Sequence, residues 1–100
     1  MVSEHYWCDR WNREQVINQI GLGNVVKSVT VDRGHKNGAE IHKITDTGII
    51  IIYNKKSGKL VTKLIARPNQ IRRYYRHDEV VPIQLINVAR QHQREGLNEI

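Results

Sequence analysis

The chain has no phenylalanine, one cysteine, two prolines and, between Thr47 and His77, no acidic residue. Without phenylalanine, every ring comes from four tyrosines and two tryptophans, so a folded core must be built mostly from isoleucine, valine and leucine. The single cysteine, Cys8, excludes an intrachain disulfide and argues against a secreted, disulfide-stapled module. No apolar run approaches the roughly 18 residues that span a bilayer. The polar start Met1-Val2-Ser3-Glu4-His5 lacks the form of a signal peptide. A reducing cytoplasm is therefore the expected compartment, with no membrane partner.

Several chemistries lack their residues as well. His5 and Cys8 have helical spacing, but no second pair follows at zinc-site spacing, so no metal or other cofactor is expected. Gly21-Leu22-Gly23 follows a helical pattern instead of a strand. It also lacks the third glycine and the Lys-Ser or Lys-Thr pair of nucleotide-binding loops. Nothing anchors a Ser/His/Asp triad.

What the chain does have is positive charge in one place. Its formal net charge is +6 over 100 residues, which suit one domain, residues 1–100. Eight of the sixteen lysines and arginines fall in the acid-free stretch: Lys55, Lys56, Lys59, Lys63, Arg67, Arg72, Arg73 and Arg76. A charge run is usually a solvated face. Here it is threaded through strong strand-formers, Ile49–Tyr53 and Leu60–Ala66, so a folded sheet would present it as a fixed positive surface. Such a surface attracts polyanions, above all nucleic acid.

Periodicity sets the expected fold. Asp9 or Asn12 could cap a first helix, and Asn12 with Gln15 has capping-box spacing. Trp7, Trp11, Val16, Ile17 and Ile20 make its apolar stripe, which Gly21 and Gly23 end. From Asn24 the period becomes two, with Val25, Val29 and Val31 alternating with Val26, Ser28 and Thr30. Asp32–Gly38 is a turn with an Asn37-Gly38 hairpin signal, and a second strand follows over Ala39–Thr45. The third, Ile49–Tyr53, is apolar enough to be covered on both faces. The fourth, Lys59–Arg67, stops before Pro68. Asn69–Tyr75 reads either as a short helix or as an irregular basic arm. A last helix runs from about Pro82 to Arg94 with Val81, Leu85, Val88, Ala89 and His92 near one face. The fold class is α+β: an N-terminal helix, a four-stranded antiparallel meander sheet and a C-terminal helix.

Strand alternation then sorts the chemistry. With helices on one face only, the open face would carry a rank of lysine, arginine and histidine able to hold an RNA backbone. Metal-independent ribonucleolysis needs a base for the 2′-hydroxyl, an acid for the leaving 5′-oxygen and cations for the phosphorane charge. His35 and His42 are the base and acid candidates, Thr62 could orient a phosphate oxygen, and Arg67 joins them as a phosphate clamp. Lys36, Lys43, Lys59, Lys63, Arg72, Arg73, Tyr74 and Arg76 are the nucleic-acid-binding candidates, tyrosine stacking on bases and arginine pairing with phosphate. Alternation works against part of this set, because His42 and Lys43 cannot share a face, nor Thr62 and Lys63, unless a bulge intervenes. Each candidate also has a plainer reading: a polar turn histidine, a threonine that favours a strand, tyrosines that pack.

Lys56-Ser57-Gly58, then Pro68, then Ile71-Arg72-Arg73-Tyr74 resemble the last elements of small RNA-cleaving toxin domains. These belong to the barnase–EndoU–colicin–RelE assemblage, in particular the anticodon-cleaving colicins. The likeness runs from Lys56 to Tyr74 and needs a gap. It implies metal-independent RNA cleavage, with Arg72, Arg73 and Tyr74 as RNA-contacting residues, and it supplies no catalytic residue. The size and basicity are also similar to those of bacteriophage accessory proteins. Two functions follow as expectations. One is a cytoplasmic RNase-toxin-like endoribonuclease, with RNA favoured over DNA and a protein antidote as a further partner. The other is a non-catalytic phage or mobile-element protein that binds nucleic acid or inhibits a host defence or nucleic-acid-processing complex. A third class, a homodimeric or protein-binding module, would turn its basic face to an acidic protein.

Overall fold

The computed structural model describes residues 12–32, 34, 36 and 38–99 and shows an α+β fold. Helix α1 covers residues 12–20, followed by strands β1 (Val25–Val31), β2 (Glu40–Thr45), β3 (Ile49–Asn54) and β4 (Leu60–Ile65). Helices α2 (Pro68–Arg73) and α3 (Ile83–Arg94) and a 3-10 turn, Leu97–Glu99, complete it. The sheet is an antiparallel meander in the order β1-β2-β3-β4. His5, Trp7, Cys8, Asp9, Trp11, His35 and Asn37, all singled out above, lie outside the described residues. Among the described residues no helix is long and apolar enough to cross a membrane.

Both faces of the sheet are covered. On one, Ile44, Ile50 and Ile52 pack with Ala66, Ile71 of α2 and Leu85, Ile86 and Ala89 of α3. On the other, Ile49, Ile51 and Ile65 pack against Ile17 of α1, with Val16, Ile20 and Leu97 alongside. The four consecutive isoleucines of β3 thus serve two cores at once, as a continuous apolar run predicts. The expectation of helices on a single face, with an open basic face behind, is corrected here. An apolar surface is left on each side by Ile49–Ile52, and α1 covers the side that α2 and α3 do not.

Two bulges also break the expected alternation. The β1–β2 register shifts between Val25 and Lys27, which brings Val25 opposite Thr45 and separates it from Val29 and Val31. The β3–β4 register shifts between Ile52 and Tyr53, so Leu60 comes opposite Tyr53 and strict alternation on β4 ends at Thr62. Near the fourth strand's end the basic arm is a helix. Pro68 sits at its first turn, where the missing N–H costs nothing, and the Gln70 side chain accepts from the Arg67 N–H at 2.8 Å.

Candidate nucleic-acid interface

The short α2 helix crosses the sheet from the end of β4 toward β1, and α3 packs beside it. Between them lies a cleft of about 450 Å³ walled by Arg67, Pro68, Asn69, Gln70, Arg72, Arg73, Arg90 and Gln93. All four guanidinium groups belong to exposed residues, and no carboxylate is among the described walls. Arg72 donates to the Asn69 side-chain oxygen at 3.2 Å, and Arg67 donates to the Asn98 carbonyl at 3.3 Å. Neither contact neutralises charge. A guanidinium fork matches two oxygens of a phosphate, so this cleft has the donor set for a phosphodiester backbone.

A second hollow of about 370 Å³ opens on the same face of the sheet. It is lined by Val29, Val31, Glu40, His42, Ile52, Leu64, Gln70, Arg73 and Tyr74. Gln70 and Arg73 line both hollows. Inside it, His42 is 3% exposed. Its Nδ1 lies 2.5 Å from the Tyr74 hydroxyl and its Nε2 lies 3.0 Å from Glu40 Oε1. A carboxylate only accepts, so Nε2 carries the hydrogen. In the neutral ring Nδ1 then offers a lone pair, to which the Tyr74 hydroxyl donates. The result is a three-member proton chain from Glu40 through His42 to Tyr74.

The remaining candidates are spread over the molecule. Thr62 and His42 both pair with Ile52, which places them on one face two strands apart, about 10 Å at the usual strand spacing. Lys43 and Lys63 flank Ile51 on the opposite face. There Lys43 Nζ stands 5.3 Å from the centre of the Tyr53 ring, and Lys63 Nζ pairs with Glu14 of α1 at 3.4 Å. Lys36 lies with Lys56 near the hairpin ends, in a separate hollow of about 360 Å³. Lys59 is exposed just before β4. Arg76 is held by Asp78 at 3.4 Å and Glu79 at 3.6 Å. The acid-free block is therefore not one positive face. Its strand lysines and its helical arginines part company, because side chains on successive strand positions leave opposite faces and α2 turns the chain across only one of them.

The structure brings together Arg67, Arg72 and Arg73 in the cleft and His42, Arg73 and Tyr74 in the adjoining hollow, all from the sequence-derived set, and adds three residues that the set omits. Arg90 comes from α3, outside the acid-free stretch. Glu40 shares a strand face with His42 at two-residue spacing, a signal present in the sequence. Gln70 sits on α2 between the arginines. No group of three or more histidine, cysteine or acidic side chains that could hold a metal occurs among the described residues. No protein-family model matches the chain, and neither a curated protein nor a solved structure matches it.

Proposed function

We propose that this chain is a small nucleic-acid-acting protein. It seats a phosphodiester backbone, RNA in preference to DNA, in the cleft between α2 and α3 and cleaves it beside that cleft by proton transfer between side chains. The observation that carries this reading is the convergence of Arg67, Arg72, Arg73 and Arg90 on one cleft whose described walls hold no counter-charge. Four unneutralised guanidinium groups repel one another, and a phosphate relieves that repulsion while accepting their hydrogen bonds. RNA is favoured because the adjoining hollow holds a proton chain, which needs a substrate hydroxyl to act on.

A second reading, a non-catalytic binder of nucleic acid or of a nucleic-acid-processing complex, is favoured by the burial of His42. Both readings predict the same binding behaviour. Affinity for a single-stranded RNA should fall with salt by about 0.7 log unit per log unit for each phosphate neutralised, giving a slope near −3 for four contacts. Replacing Arg73 and Arg90 together by glutamine should make the slope shallower by about 1.4. A flat salt response would remove nucleic acid as the partner. Cleavage of the bound RNA, assayed with and without chelator, separates the first reading from the second.

A further inference from the structure

The hollow beside the arginine cleft differs from it in kind. Its strands lay an apolar floor, on which Val29, Val31 and Leu64 stay half-buried beside the buried Ile52. Helix α2, six residues long, walls this floor without filling the space above it. Among the described walls Glu40 is the one carboxylate, and its side chain keeps 29% exposure. Oε1 of Glu40 is tied at 3.0 Å to His42, which is itself buried, so the carboxylate has a fixed place. The other carboxylate oxygen has no hydrogen-bond partner among the described residues.

An occupant of this hollow must bring an apolar body, hydrogen-bond donors and no negative charge. Glu40 would repel a phosphate, and a wholly apolar body would leave the carboxylate dry and unmet. An unpaired nucleobase answers all three demands, with a flat face for the floor and N–H groups along its edge. The volume of about 370 Å³ is that of a small-ligand site. Gln70 and Arg73 line both spaces, so a strand whose phosphate lies in the cleft can turn a neighbouring base into the hollow. Gln70 gives its oxygen to the Arg67 N–H at 2.8 Å, which leaves its amide nitrogen to donate.

Resting on the seating of a strand in the cleft, which both readings above share, we propose that this hollow is a base-recognition subsite and that its base is guanine. Of the four RNA bases only guanine sets two donors, N1–H and N2–H, side by side on its Watson–Crick edge. A carboxylate offers two oxygens at matching spacing, and Oε1 keeps a lone pair beyond the one that His42 uses. Adenine, cytosine and uracil each place at least one acceptor beside their donor, so a lone pair would face the Glu40 carboxylate. His42 is the positioning residue of this subsite, since it holds Glu40 without touching the base. Recognition by Glu40 applies whether or not the strand is then cut.

The test uses the full chain and short 2′-O-methyl strands of uracil nucleotides, which lack the free hydroxyl that cleavage needs. The central base is guanine, inosine (guanine without its N2 amino group) or adenine. The parent should bind the guanine strand about 5- to 100-fold more tightly than the adenine strand, with inosine between them. All three strands should share one salt slope, because their phosphate contacts are the same. Glu40→Gln should abolish the preference, since an NH₂ group then meets one of the two donors. If that variant does not fold, the inosine strand on the parent carries the test, and equal affinity for guanine and inosine overturns the proposal. A guanine preference that survives Glu40→Gln also overturns it. Equal, salt-sensitive binding of the guanine and adenine strands overturns it while leaving the arginine cleft as the seat of the backbone. Failure of every strand to bind removes both.

Discussion

Lys27 leaves β1 with its ammonium 2.6 Å from Glu79 and 4.6 Å from the centre of the Tyr75 ring, tying the segment after α2 to the first strand. Burial pushes the Tyr75 phenol up, and Lys27 opposes that shift. The Glu79 carboxyl is held below its ordinary value of 4.5, chiefly by the Lys27 hydrogen bond and then by the Arg76 N–H at 2.8 Å. A depressed carboxyl stabilises the fold above its unfolded-state pKa, and that contribution is lost as pH falls through the lower folded-state value. Glu79→Gln should therefore reduce the melting temperature at neutral pH, and the difference from the parent should close as pH falls below 4.5 through the lower folded-state value. A gap that persists unchanged in acid would place the effect elsewhere. At this scale the sequence was partly legible. Parity alone puts Glu40 and His42 on one face of a strand. The third member of their chain, Tyr74, lies 32 residues further on, and its place depends on the path of α2 across the sheet, which no local pattern encodes. Lys63 was misplaced for the same reason: its partner Glu14 comes from a helix whose side of the sheet is a tertiary matter.

Among the elements, α1 and the turn after it are fixed by glycine. Gly21 closes α1 with its N–H on the Ile17 carbonyl at 2.8 Å and a positive φ of 83°. Gly23, with φ 66°, allows close approach to the β2–β3 turn, where Asp46 accepts from the Asn24 N–H at 3.0 Å. A methyl group at Gly23 would fall on the Asp46 carboxylate and Thr47. Gly23→Ala should therefore lower stability through both strain and clash, whereas Gly34→Ala, with nothing near its methyl position, should show the strain alone. Equal losses of melting temperature in the two variants would contradict this. Helix α2 is anchored by Pro68 and Ile71, and Ile71 is fully buried against α3 and the sheet. Ile71→Ala should cost about 2–5 kcal/mol in denaturant unfolding and should weaken RNA binding, since it loosens the helix that carries Arg72 and Arg73 and is capped by Arg67. Strand and helix boundaries were legible here from period and punctuation. The bulges at β1 and β4 were not, because each arises from pairing with a neighbouring strand and leaves no mark on the strand's own composition.

For the whole molecule, the arrangement of charge matters more than its total. Among the described residues, lysines stand at a turn end and on a covered sheet face, while the cleft gathers four arginines with no carboxylate on its described walls. Net charge and the acid-free block pointed to a polyanion, while the site had to await the packing of α2 on α3. The meander order of the sheet bears on how that site comes into being. Each strand finds its ladder partner in the next strand along the chain, so the sheet closes through short loops at small entropic cost. The cleft needs Arg90 from the last long helix, and the His42–Tyr74 bond spans far more chain than any hairpin. During refolding the hairpins should therefore form ahead of the arginine cleft, and phosphate binding should recover last, with the docking of the C-terminal third.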